Sequence, residues 1–200
     1  WVSITDHSDG ISVITEIKGA NPELLADPTI KKWYGMFSAG PAEARAAVME
    51  LIQAQATKKL PAAFMDPKFA RSLWVRNTAI AEKYNEPGRF TTLIGYEWTS
   101  NAGGGDNLLR NVIYRDGKDK ADMVVPYTTF QSENPEDLWK WMDAQRAKGT
   151  QLLAIPHNGN LSNGAMFALT DSDGKPITRA YAETRERNER LTEIVQTKGQ

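Results

Sequence analysis

The chain has 200 residues, 40% of them hydrophobic and 24% charged, enough to bury a core and to read as a single domain over 1–200. Its 24 basic and 25 acidic residues nearly cancel and form no basic run, so the electrostatic footprint of a nucleic-acid binder is missing. No apolar stretch approaches the length of a bilayer crossing, so no membrane partner is expected. The absence of cysteine excludes disulfides, thiolate zinc sites and cysteine nucleophiles together, and leaves the compartment open, export to a periplasm included.

Residues 1–5 predict a first strand, in which Val2 and Ile4 lead into a polar turn, Asp6-His7-Ser8-Asp9-Gly10. Over 11–40 the pattern is weak. NPELLADPTIKKWYGMFSAG mixes turn punctuation with short helical pieces, as expected of a long ordered insertion that lids a site. PAEARAAVMELIQAQATKKL, over 41–60, predicts an alanine-rich helix with proline first and lysines last. A second helix starts at Asp66-Pro67 and places Phe69, Leu73, Trp74, Ile80 and Tyr84 at helical spacing, with Trp74 in the core.

EPGRF turns the chain into a strand over 90–96, and Glu97 follows it. The three glycines of TSNAGGGDN lack the Lys-Ser or Lys-Thr of a phosphate-binding loop and predict a flexible hairpin or site loop. NLLRNVIYR predicts another strand, its Arg110 and Asn111 either within reach of a substrate anion or at a solvated strand end. Asn134 and Pro135 then start a helix, PEDLWKWMDAQRAKG, which stops at Gly149. It feeds an apolar run over 152–155 that is too short for a helix and ends at Pro156, a buried strand with His157 at its tip. This handover predicts the second half of a parallel unit. The loop NGNLSNGAMF is suited to gripping ligands through side-chain amides or to building turns. TDSDGKP is a polar turn without the register of an EF-hand. A charged helix over 178–191 and a last strand over 192–196, carrying Glu193, complete the chain.

Three strands therefore end alike, in His7, Glu97 and His157. Where strands run parallel their C-terminal tips share one face, and residues remote in sequence converge there. Two neutral imidazoles and a carboxylate suit a divalent metal: zinc, manganese or iron. A single loop histidine is more often a surface or hydrogen-bonding residue; two histidines at matching strand tips favour ligation. Asp6 is placed to orient His7, to bind metal itself, or to cap the turn. Trp1 opens inside a strand pattern and LTEIVQTKGQ stops just after one, so both ends read as cut from a longer chain.

The stretches TDH, GYEW, RNVIYRDG, NPEDLWKWM, LAIPHNGNLSNGAMF and EIVQTKGQ together resemble the DUF3604 family, bacterial proteins related to the PHP superfamily, over almost the whole chain. The resemblance implies an α/β fold that is part of a distorted TIM-like (β/α)7 PHP-type barrel, with metal ions at its C-terminal face and hydrolysis of phosphoesters. It implies His7, Glu97 and His157 as metal ligands. The family's early His-x-His is absent, and Leu109 stands where histidine is common.

The expectation from both lines is a metal-dependent hydrolase of a small molecule, most naturally a phosphoester. Asp6 would orient His7, and Arg110 or Asn158 would stabilise developing negative charge. The alternative is a non-catalytic domain that binds a metal or a small polar ligand such as a sugar. The sequence does not specify an oligomeric state.

Overall fold

The computed structural model describes residues 1–57 and 59–198. Its contacts separate two compact units, one of Trp1–Asp9 with Trp74–Gln200 and one of Gly10–Leu73.

The Gly10–Leu73 unit is helical. It holds α1 (Val13–Lys18), α2 (Pro22–Leu25), α3 (Pro28–Ala39) and α4 (Pro41–Ala56). Proline starts α2, α3 and α4, where its missing N–H costs nothing, and in α2 and α3 side-chain caps satisfy the next amides. Asn21 accepts from the Glu23 N–H, and Asp27 from those of Thr29 and Ile30. The weak pattern over 11–40 is thus a run of short capped helices. Trp33 joins α3 to α4 by donating its Nε1–H to Glu50 Oε2 at 2.9 Å, and its ring stacks on Phe64 at 6.4 Å. The helix predicted over 41–60 stops at Ala56, where the Thr57 N–H and hydroxyl both fold back onto the Gln53 carbonyl. Lys58 lies outside the described residues. A further helix, α5 (Pro67–Tyr84), begins in this unit and continues from Trp74 in the other.

The second unit holds β1 (Val2–Ile4), β2 (Thr92–Trp98), a ribbon of β3 (Asn101–Ala102) with β4 (Asp106–Asn107), β5 (Arg110–Tyr114) and β6 (Leu152–Pro156). Its helices after α5 are α6 (Lys118–Ala121), α7 (Pro135–Ala147) and α8 (Arg179–Asn188). The main sheet has four strands in the order β1-β2-β5-β6. β1 pairs parallel with β2, whereas β2–β5 and β5–β6 are antiparallel.

This overturns the expected (β/α)7 barrel: the sheet is mixed, open and small. The reason lies between β2 and β5. Only the tight β3–β4 ribbon joins them, turning at Gly103 and Gly104 with positive φ, and a hairpin link imposes antiparallel pairing. The α7-to-β6 handover likewise delivers β6 antiparallel to its neighbour β5, not parallel to it. The strand predicted over 192–196 does not form; Glu193 makes one ladder-like bond, its N–H to the Pro156 carbonyl at 3.0 Å. The last two residues of the EIVQTKGQ stretch, Gly199 and Gln200, lie outside the described residues.

Pleating sorts the sheet residues by parity. Ile94, Tyr96, Val112, Tyr114 and Ala154 are buried on one face, where Trp74 of α5 sets its ring 5.9 Å from both Tyr96 and Tyr114. Trp74 Nε1–H donates to the Ala121 carbonyl at 2.9 Å, so the ring is buried without stranding its polar atom. From α7, Trp141 meets Tyr96 edge-on at 6.4 Å. Each such aromatic contributes about 1.5–3 kcal/mol by leaving water. Leu93, Glu97, Asn111, Ile113, Leu153 and Ile155 fall on the opposite face and are half-buried.

Candidate metal centre

Two antiparallel steps across β5 restore direction, so β1, β2 and β6 all point their C-terminal ends to one edge of the sheet. His7, Glu97 and His157 meet there. The convergence expected of a barrel is achieved by an open mixed sheet.

Glu97 lies opposite Asn111 on β5, which lies opposite Ile155 on β6, and His157 is two residues further on the same face. His7 extends β1 as a parallel bridge partner of Glu97, and the Glu97 N–H donates to the Asp6 carbonyl at 2.8 Å. The Glu97 carboxylate is thus held between two imidazoles, one on each oxygen. His7 Nδ1 is 2.9 Å from Oε1, and His157 Nε2 is 3.1 Å from Oε2. The Thr99 hydroxyl closes the first contact into a triangle, donating to Glu97 Oε1 at 2.8 Å and lying 2.7 Å from His7 Nδ1.

The environments differ. The His7 ring is 63% exposed, the His157 ring 10% and the Glu97 side chain 14%. Burial, the largest single influence on Glu97, would raise its carboxyl pKa. The hydrogen bonds from His157, His7 and Thr99, with the His7 charge, outweigh it and hold the carboxyl well below the usual range. The hydrogen bond to Glu97 is the main cause that raises His7, against the opposing effect of burial.

The donor chemistry fits a divalent metal. Each imidazole N–H directed at the carboxylate marks a place where a cation would replace a proton on the same nitrogen. His157 Nδ1 is also buried without a hydrogen-bond partner, as are Asn111 Oδ1 and Ser3 Oγ among the described residues. Among those residues no group of three or more His, Cys, Asp or Glu side chains closes around a single point. The two histidines address different oxygens, so the arrangement is a carboxylate bridge and not a three-ligand cage.

The other expected site residues are placed differently. Asp6 takes part through its backbone carbonyl. Arg110 shares its face with Trp98 and Pro156, opposite to that of Glu97, because adjacent residues of a strand alternate. It is 2% exposed; its Nε–H donates to Glu189 Oε1 at 2.9 Å and an Nη1–H to the Leu108 carbonyl at 2.6 Å. Trp139 Nε1–H donates to the same Glu189 oxygen at 2.7 Å. Asn158 is fully buried at φ 59°, accepting from Asn107 Nδ2 at 2.7 Å and donating to Asn160 Oδ1 at 2.8 Å. Its backbone N–H donates to Glu193 Oε2 at 2.8 Å, which fixes the residue after His157.

Thr99, Glu189 and Glu193 are the contributors that sequence reasoning missed. Thr99 carried one signal, its position two residues after Glu97 on an extended run. Glu189 carried none, lying 79 residues from the arginine it neutralises.

Fold and site together define an α/β protein in which the strand tips of an open mixed sheet gather two histidines around one glutamate. The chain belongs to the DUF3604 family, described as a protein of unknown function, whose model matches residues 1–200. No curated protein and no solved structure matches it.

Proposed function

We propose that this chain carries the centre of a metal-dependent hydrolase of the PHP type that acts on a small phosphoester. The observation that carries the reading is the Glu97 carboxylate shared by His7 and His157, one imidazole per oxygen at 2.9 and 3.1 Å. His7, Glu97 and His157 would hold the ion, for which zinc, manganese and iron all suit an imidazole and carboxylate set. A divalent metal supplies polarisation of a phosphoryl oxygen and a bound water acidic enough to attack it near neutral pH.

The chain's own residues hold this geometry. Thr99 fixes the Glu97 oxygen that faces His7, the Asp6 carbonyl fixes the Glu97 backbone, and Glu193 fixes the amide that follows His157. A loop that merely grips a sugar is less well supported, because Asn158 and Asn160 spend their amides on each other and on the Lys198 carbonyl.

The test is elemental analysis of the chain purified without chelator, beside His7→Ala and His157→Ala, followed by metal-loaded turnover of a phosphomonoester and phosphodiester panel. Stoichiometric metal lost in both variants, with turnover in the wild type alone, supports the reading. Metal binding that is indifferent to both substitutions, or a loaded chain inert across the panel, sinks it.

A further inference from the structure

At the end of the sheet remote from His7 and His157 lies a cavity of ≈550 Å³, walled by residues of β2, β5, β6 and the ends of α7 and α8. Leu93, at its floor, is four residues before Glu97, about 13 Å along the strand at about 3.3 Å per residue. Leu93, Ile113 and Leu153 make the floor apolar, and four arginines, Arg115, Arg146, Arg187 and Arg190, stand around it.

Their charges are poorly matched. Arg146 and Arg187 share the single carboxylate of Asp143, each with a contact of 2.7 Å. Arg115 donates to a neutral acceptor, Gln151 Oε1, at 3.0 Å. Arg190 makes no hydrogen bond or ion pair among the described residues. Asp116 is bonded to the Gln151 backbone N–H, and Glu183, which also acts on Arg187, is paired with Arg179. In a chain whose formal charge is −1, this is a local cationic surplus and not a reflection of composition. Burial lowers the Arg146 pKa first, and Arg187 and Arg190 lower it further by repulsion against the pull of Asp143.

We infer that this cavity is a second binding site, for a small organic anion that carries a carboxylate or phosphate on an apolar body. The volume lies within the range of about 300–1,000 Å³ typical of small-ligand sites. Arg146 and Arg187 spend donors on Asp143, Asn188 and the Leu152 carbonyl, whereas the exposed guanidinium groups of Arg115 and Arg190 offer N–H donors that match carboxylate and phosphate oxygens, and the aliphatic floor receives the hydrocarbon part. The site does not rest on the metal centre, which occupies the other end of the strands.

The experiment is calorimetric and NMR titration of the metal-free chain with octanoate, phenyl phosphate, inorganic phosphate and neutral octanamide. Octanoate and phenyl phosphate are expected to bind, shifting the Leu93, Ile113 and Leu153 methyl signals, with octanamide and inorganic phosphate each about tenfold weaker or more. Arg190→Gln and Arg115→Gln, both at exposed positions, each lower octanoate affinity about three- to tenfold, and His7→Ala leaves it unchanged. Octanamide binding as well as octanoate, inorganic phosphate binding as well as phenyl phosphate, unmoved floor methyls, wild-type affinity in both arginine variants, or loss in His7→Ala overturns the assignment.

Discussion

His157 and Glu97 sit on strands that do not touch, yet His157 Nε2 lies 3.1 Å from Glu97 Oε2 across the width of β5. The contact is possible because Ile155 and Glu97 both register with Asn111, which places the next outward residue of β6 level with the tip of β2. The bridge between the two histidines therefore depends on pairing register, and a slip by one residue would remove it.

Thr99 gives a test that separates the ligands from their support. Thr99→Val keeps the shape but deletes the hydroxyl that donates to Glu97 and contacts His7. Supporting groups of this kind typically contribute about 10–100-fold to metal affinity. Competition against a chromophoric chelator is expected to show such a loss, with stoichiometry preserved. Unchanged affinity would mean that Thr99 does not position the site.

The Arg110–Glu189 pair makes a prediction about stability alone. Both side chains are almost fully buried, so Glu189→Gln leaves a guanidinium without its counter-charge and is expected to cost about 3–5 kcal/mol in urea unfolding. If Glu189→Gln unfolds like the wild type, the ion pair does not hold this end of β5.

Gly95 is required by space, not by backbone conformation. A Cβ there would lie 2.8 Å from Ile113 Cδ1, 2.8 Å from Ser3 Oγ and 2.9 Å from the Val112 carbonyl oxygen. Gly95→Ala is expected to destabilise the chain by about 1–3 kcal/mol as β1 and β5 are pushed from β2. The same displacement moves His7 away from Glu97, so the variant's His7 ring resonances are expected to shift toward those of an unpaired imidazole.

The pH dependence of the metal-free chain has a definite sign. Glu97 is held below its ordinary value of 4.5, so its contribution is present above that pH and is lost as pH falls toward the depressed folded value. His7 is held above 6.5, so its contribution is complete below 6.5 and is lost as pH rises through the raised folded value. The stability difference between wild type and His7→Ala is therefore expected to be greatest between roughly 4.5 and 6.5 and to shrink in alkaline buffer, as measured by urea midpoints across pH. A difference that grows above pH 7 contradicts the His7–Glu97 contact.

What the sequence determined by itself is local. The apolar runs that end in His7, Glu97 and His157, the Asn134-Pro135 start of α7 and the turn at the three glycines all form where side-chain period and backbone preference put them. These signals act over a few residues, so they survive without knowledge of the rest of the chain. The tertiary structure decided which strands are neighbours and in which direction they run. The tight ribbon before β5 made the sheet mixed and open where a barrel was expected. Strand parity then turned Arg110 inward to Glu189 and left Asn111, its neighbour, on the face of Glu97. Pairing across 60 or 79 residues leaves no periodic trace in sequence, because it depends on which surfaces bury each other and which charges must then be neutralised.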